Sequence, residues 1–223
     1  MPNVCRTLID GYALGLENIY QFEDIENDVL LATKRGLEKL PDQSVLRKDL
    51  NNQFQNDDDV NRLRFVKSAQ VKGELKRLSG HLVLEFDSTV EVGYGFQEGL
   101  VPGYNPQKPG RASYHPQLCR ERQSGLSVWS RLRPGNTVSA TDFVDFLEES
   151  WQVVPKRFKR IKRGLSKVLT RMDSGYEIEE AMSWNEQRGV GYVIRMTMKG
   201  DLWPQIYSIP KRAYRAIEAE VGT

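Results

Sequence analysis

The chain has 223 residues, 28% of them charged and 39% hydrophobic, with a formal net charge of +2. That length allows one good core, or one core and a small helical module, and the composition is an ordinary globular one, so fibrous and low-complexity classes are excluded and any argument for nucleic acid must rest on local clusters of charge. No apolar run nears the roughly 20 residues of a membrane span, Arg6 and Asp10 make the start a poor signal peptide, and Cys5 and Cys119 suit neither a disulfide framework nor a zinc site, so a cytoplasmic setting without membrane partners is expected.

Residues 1–78 read as a helical module. Asp24 is a candidate cap for a helix through IENDVLLATKRGLEKL, which Pro41 and Asp42 end. Ser44 can cap a second helix, VLRKDLNNQF. A third, DVNRLRFVKSAQVKGELKRL, follows Asp57, Asp58 and Asp59, whose charges favour a helix N-terminus. It carries Arg62, Arg64, Lys67, Lys72, Lys76 and Arg77 against Asp59 and Glu74. Such a basic helix suits docking on DNA, and it equally suits a solvated face.

From residue 79 the pattern changes to that of an α/β domain with a mixed sheet. HLVLEFDSTVEV alternates and is rich in β-branched residues, as a strand should be. Residues 99–117 hold four prolines and three glycines, which predicts a long structured loop. GLSVWSRLRPG reads as a strand whose Trp129 belongs to the core. SATDFVDFLEESWQVV reads as a helix with Phe143, Phe146, Leu147 and Trp151 on one face and Ser139 and Asp142 near its cap. A basic linker, a strand ending at Asp173, a helix over 177–187 and the strand VGYVIRMTMK follow. The order strands, helix, strand, helix, strand fits a mixed central sheet.

Two aspartates carry the chemistry. Asp87 and Asp173 each end a predicted strand, so both can stand at one edge of one sheet. Hard oxygen ligands on rigid strands are what a divalent-metal site for phosphoryl transfer needs. An aspartate after a strand is also a common turn or cap residue. His81 stands at a strand start, and His115, between Tyr114 and Pro116, fixes its loop. No nucleophile elbow or phosphate-binding glycine motif is present. The stretch KRFKRIKRGLSK has no acid, and its Lys159, Arg160, Lys162 and Arg163 are expected to meet phosphates at the same edge as the aspartates. Lys108, Arg111, Arg131 and Arg133 add positive charge in loops near Asp87.

The stretches FDSTVEVGYGFQEG, GYNPQKPGRASYHP, RLRPGN and MDSGY, with Gly191, Tyr192 and Val193, resemble bacterial insertion-sequence transposases of the DDE type. The resemblance spans essentially the whole chain, with LPDQSVLRKDL similar to the short helix-turn-helix-like segment of that family's DNA-binding region. It implies an RNase H-like catalytic domain over 79–223 behind a DNA-binding module over 1–78. It further implies that Asp87 and Asp173 bind two Mg²⁺ or Mn²⁺ ions as the first two members of a catalytic triad. The reaction implied is phosphodiester cleavage and strand transfer at transposon ends and target DNA, by a nucleoid-associated protein, with a homodimer on DNA as a possible assembly. Asn105, Lys108 and Arg111 would shape the loop near the site, and Lys108, Arg111 and Arg133 would touch DNA. The family's third acid, a glutamate on a helix after the last strand, has no matching motif here. Glu218 and Glu220 are the geometric substitutes, and the expectation is a chain lacking the segment with that glutamate. Two other readings follow: a catalytically inactive DNA-binding remnant, and an RNase H-like interaction module without a nucleic-acid role.

Overall fold

The computed structural model describes residues 2–53, 56–197, 200 and 202–210. The chain divides into two compact units, the first ending at Lys67 and the second beginning at Ser68.

The first unit holds α1 (Pro2–Ala13), a 3-10 turn (Ile19–Asp24), α2 (Val29–Lys34), α3 (Gln43–Gln53) and the start of α4 (Asp57–Leu75). Its core is small: Val4, Phe22 and Leu46 are buried, with Leu8, Leu16, Ile19 and Ile25 packed around them. Arg35 bonds the Asp10 carboxylate, with Nε 2.7 Å from Oδ2. That hydrogen bond holds the Asp10 carboxyl below its ordinary pKa. The caps differ from those expected. Asp24 lies inside the 3-10 turn, and it is Asp28 that accepts the Leu31 N–H at 2.9 Å. Asp42 accepts the N–H groups of Ser44 (2.8 Å) and Val45 (3.0 Å), while the Ser44 hydroxyl donates to the same oxygen. A carboxylate is the stronger acceptor, so the aspartate takes the capping role.

The second unit is built on a five-stranded mixed sheet. In chain order it contains β1 (Leu82–Ser88), β2 (Glu91–Val92), β3 (Val101–Pro102), β4 (Ala112–Tyr114), β5 (Gln117–Glu121) and β6 (Ser127–Arg131). Then follow α5 (Phe143–Val153), α6 (Lys156–Lys159), β7 (Val168–Met172), a 3-10 turn (Ser174–Tyr176), α7 (Glu179–Gln187), β8 (Gly191–Ile194) and α8 (Leu202–Ser208). The sheet order is β6-β5-β1-β7-β8. Strand β1 is antiparallel to β5 and parallel to β7, and β7 is parallel to β8. This is the expected α/β arrangement, a mixed central sheet flanked by helices.

Period-two alternation decides which face is covered. Leu82, Leu84 and Phe86 of β1 are buried, whereas Asp87 is exposed. The buried face packs with Phe143, Phe146 and Leu147 of α5, Ala181 and Trp184 of α7, and Val71 and Leu75 at the end of α4. Phe86 meets Phe143 and Phe146 edge-on, with ring centroids 5.5 and 6.0 Å away. The burial of Val71 and Leu75 with the sheet explains why the second unit begins within α4 rather than after it.

Several elements differ from the sequence expectation. HLVLEFDSTVEV is two strands in two sheets, because Thr89 leaves β1 to bond the Pro116 carbonyl. The proline-rich loop contains β3 and β4, which with β2 form a small antiparallel sheet in the order β2-β4-β3. Strand β5 escaped the pattern because two of its inward residues, Gln117 and Glu121, are polar. Glu121 is buried, and its carboxylate is satisfied by the N–H groups of Gln123 and Ser124 and the Ser124 hydroxyl. Helix α5 starts at Phe143 without a side-chain cap bond from Asp142, and the Ser139 hydroxyl points elsewhere.

Candidate active site

The two aspartates stand one position past matched residues of neighbouring strands. The β1–β7 register ends with Phe86 opposite Met172, so Asp87 and Asp173 are the next pair at the same end. Adjacent strands lie about 4.8 Å apart, and side chains at matched positions share a face. Both aspartates are exposed, and both follow a buried hydrophobe, Phe86 and Met172, each 3% exposed. The core therefore pins each strand end just before its carboxylate.

Each carboxylate is oriented by one backbone donor. Oδ1 of Asp87 accepts the Ser88 N–H at 2.8 Å, and Oδ1 of Asp173 accepts the Gly175 N–H at 2.9 Å. Among the described residues Oδ2 of each makes no hydrogen bond, which leaves one hard oxygen per aspartate facing outward. Gly175 is closely packed here: a Cβ on it would lie 3.1 Å from Asp173 Oδ1 and 3.1 Å from the Ser139 side chain.

An open cavity of about 530 Å³ fronts the pair and is lined by Asp87, Asp173, Leu118, Arg120, Val193 and Arg195, among others. Asp173 is flanked by Arg195, the residue after the Met172–Ile194 pair, whose N–H donates to the Met172 carbonyl at 3.1 Å. Two residues back on the same face, Glu85 receives Arg122 and Arg171, each at 2.7 Å. Burial opposes ionisation of Glu85, but the two arginines outweigh it and hold its carboxyl below the usual value. Glu85 is thus neutralised in place, while Arg120 and Arg195 have no ion-pair partner among the described residues. The face combines two outward carboxylates with free cations, which suits a metal-bound phosphodiester.

Behind the carboxylates lies a buried polar cluster that the sequence did not reveal. The Ser88 and Ser139 hydroxyls are 2.8 Å apart, and Gln117 Nε2 donates to the Ser139 carbonyl at 3.2 Å. Tyr176 is fully buried; its hydroxyl stands by Ser88 and Gln117 without reaching hydrogen-bond geometry, and burial pushes its pKa up. Only the closeness of Tyr176 to Asp173 in sequence signalled this cluster.

The basic residues divide into two kinds. Lys108 and Arg111 lie in the turn before β4, with the Lys108 N–H held by Asn105 Oδ1 at 2.9 Å. Arg133, expected to touch DNA, is instead 4% exposed and donates to the carbonyls of His115, Val138, Ser139 and Thr141. It braces the loop between β6 and α5. Arg160, Lys162 and Arg163 are exposed, and Lys159 lies over the Trp151 ring at 4.7 Å. Arg163 and Gly164 both have positive φ (54° and 86°) in a tight turn closed by Lys162 and Leu165, so Arg163 stands at its tip. That turn precedes β7, whereas Asp173 follows it. The expected shared edge is therefore corrected: the length of β7, about 17 Å at the usual strand rise, separates the basic turn from the aspartates. Glu218 and Glu220 lie outside the described residues. Among the described residues no group of three or more His, Cys, Asp or Glu stands together, and no helix is long and apolar enough to cross a membrane.

Comparison with known proteins adds a family. The family model described as Transposase DDE domain group 1 matches residues 1–221. No curated protein matches the chain. Among solved structures, the chain is similar to the piggyBac transposase synaptic complex with hairpin DNA at 12% identity and TM-score 0.42, covering 77% of this chain and 34% of that one. It is similar to the Mos1 transposase paired-end complex with left transposon end at 16% identity and TM-score 0.35, covering 86% of this chain and 62% of that one. The Mos1 strand transfer complex shows 14% identity and TM-score 0.34, with 92% and 61% covered. The chain therefore spans about a third of the piggyBac transposase and less than two thirds of the Mos1 transposase.

Proposed function

Because the chain belongs to the DDE transposase family, domain group 1, we propose that it is a DNA transposase cleaving phosphodiesters and transferring strands with divalent metal. The observation that carries this reading is the matched placement of Asp87 and Asp173 at the open end of two adjacent parallel strands. Membership in the family implies divalent metal use, and the outward oxygens of the two aspartates fit a hard cation. Two Mg²⁺ or Mn²⁺ ions bound there would supply activation of a water or 3′-hydroxyl nucleophile and neutralise developing charge.

The chain's own residues divide the remaining work. Asp87 and Asp173 would hold the metal, their carboxylates oriented by the Ser88 and Gly175 N–H groups. Arg120 and Arg195 offer charge to the phosphate, and Lys108 and Arg111 extend the contact along the strand. Arg160, Lys162 and Arg163, with Lys159, meet backbone phosphates at the far end of β7. Two copies pairing transposon ends are part of the same reading.

The test is nicking of supercoiled plasmid with Mg²⁺ or Mn²⁺, with Asp87→Ala and Asp173→Ala alongside. The expected result is nicking by the native chain and a loss of at least about a hundredfold in each variant, with DNA binding retained. Equal nicking by either variant would refute the assignment. DNA binding without nicking by the native chain would replace it with the DNA-binding remnant.

A further inference from the structure

The loops flanking the small sheet carry three aromatic rings that the fold leaves bare. Phe96 is fully exposed, Tyr104 is 80% exposed and Tyr94 is 68% exposed. Exposed large rings gathered on one element mark an interaction surface. Strand register gathers two of them. Val92 pairs with Ser113 and the Gly93 N–H bonds the Ala112 carbonyl, so Tyr94 comes level with Arg111. Pro102 pairs with Ala112, so Gly103 comes level with Arg111 from the other side and Tyr104 follows it. Tyr94, Arg111 and Tyr104 therefore share one end of the sheet, and Phe96 stands in the loop that continues from Tyr94.

Charge is sorted along this sheet. Arg111 lies over the Tyr94 ring, 5.9 Å from its centroid, and Lys108 opens the same turn. Neither cation has an ion-pair partner among the described residues. The acids are at the opposite end, where Glu91 pairs with Tyr114 and the Glu98 carbonyl accepts the Tyr114 hydroxyl. Asn105, 5% exposed, holds the turn through its Oδ1 and keeps a buried Nδ2 donor with no partner.

The geometry points to a stacking platform for unpaired DNA bases: Tyr94, Phe96 and Tyr104 offer ring faces, and Lys108 and Arg111 take the adjoining phosphates. This rests on the DNA-acting reading above and names a substrate feature of that same site. Ring faces beside unpaired cations match a base next to its phosphate, whereas a protein partner would be expected to meet carboxylates or an apolar rim. A duplex hides its base faces inside the stack, so only unpaired nucleotides can use such rings. Strand β4 runs from this end through His115 and Pro116 into β5, whose Gln117 and Leu118 pair with Ser88 and Asp87. The platform thus lies at the end of β4 away from the aspartates, where it would receive nucleotides flanking the phosphodiester at the site rather than those next to it.

The test measures binding of the full chain to a single-stranded oligonucleotide carrying 2-aminopurine and to the corresponding duplex, without divalent metal. The expected result is quenching of the fluorophore and about tenfold weaker single-strand binding by Phe96→Ala or Tyr104→Ala. Duplex binding should change by less than about twofold. Phe96→Trp should keep single-strand binding at the native level and Phe96→Leu should lose it. Equal binding by Phe96→Leu would overturn the proposal in favour of a plain apolar patch, as would an absence of quenching. Quenching that fails while duplex DNA still binds removes this inference alone; a chain that binds neither form removes the transposase reading with it.

Discussion

The hydroxyls of Ser88 and Ser139 meet at 2.8 Å across 51 residues of sequence. The contact ties the residue after Asp87 to a loop whose side chain also abuts Gly175, in the turn that follows Asp173. One serine thus touches the supports of both carboxylates. Gly175→Ala should make this visible. Its Cβ would crowd Asp173 Oδ1 and Ser139, so one of them must yield by a few tenths of an ångström. The expected outcome is a stability loss of about 1 kcal/mol, with a disproportionate rise in the Mg²⁺ concentration needed for half-maximal nicking. An unchanged metal requirement would show that the Asp173 carboxylate is not held by this packing.

Phe86 and Asp87 are neighbours with opposite jobs, and substitution should separate them. Phe86 is buried against Phe143 and Phe146, so Phe86→Ala should cost about 3–5 kcal/mol. Asp87 is exposed and makes only a local bond to the Ser88 N–H, so Asp87→Ala should change stability by no more than about 0.5 kcal/mol. Denaturant unfolding of both variants measures the contrast.

The same alternation made the site legible. Leu82, Leu84 and Phe86 announce one buried face, which puts Asp87 on the other, and LSKVLTRMD repeats the pattern up to Asp173. Their parallel pairing was not readable, because register depends on the partner strand. Strand β5 is hidden in the sequence because its inward Gln117 and Glu121 are polar: Gln117 finds its partner in Ser139, 22 residues on, and Glu121 in the turn that follows the strand. Arg133 misled for a related reason. An arginine in a glycine- and proline-rich loop looks solvated, yet carbonyls gathered by the loop surround it. The basic stretch is plain from its composition, but its end of the sheet depends on strand direction, which composition does not record.

Acid should weaken the loop held by His115. Its Nδ1–H donates to the Thr137 carbonyl at 2.5 Å, and Arg133 Nη2 lies 3.4 Å from that nitrogen. Burial is the chief cause that lowers its pKa below the ordinary 6.5; the Thr137 bond opposes it and the Arg133 charge adds to it. The unfolded chain then binds the proton more readily than the folded one. Stability is therefore complete above about pH 6.5 and falls as pH drops from there toward the lower folded value. His115→Gln should remove that slope, in a window above the one in which the paired carboxylates Asp10, Asp42 and Glu85 protonate. Thermal melting of both proteins across pH 5–7 measures it, and parallel curves would refute it.

Salt dependence should distinguish cations that meet DNA from those that brace the fold. Each phosphate neutralised lowers the slope of log K against log salt by about 0.9. Arg160, Lys162 and Arg163 are exposed around a tight turn with Lys159 beside them. Neutralising all four with glutamine should therefore flatten the slope for duplex DNA by up to about 3–4. Arg133 gives the opposite signature. Its guanidinium is committed to four carbonyls of the loops around β6, so Arg133→Gln leaves buried acceptors unpaired and costs about 1–3 kcal/mol. Its salt slope should stay native once folding is maintained at low temperature. A flattened slope in Arg133→Gln, or an unchanged one in the fourfold variant, would exchange the two roles.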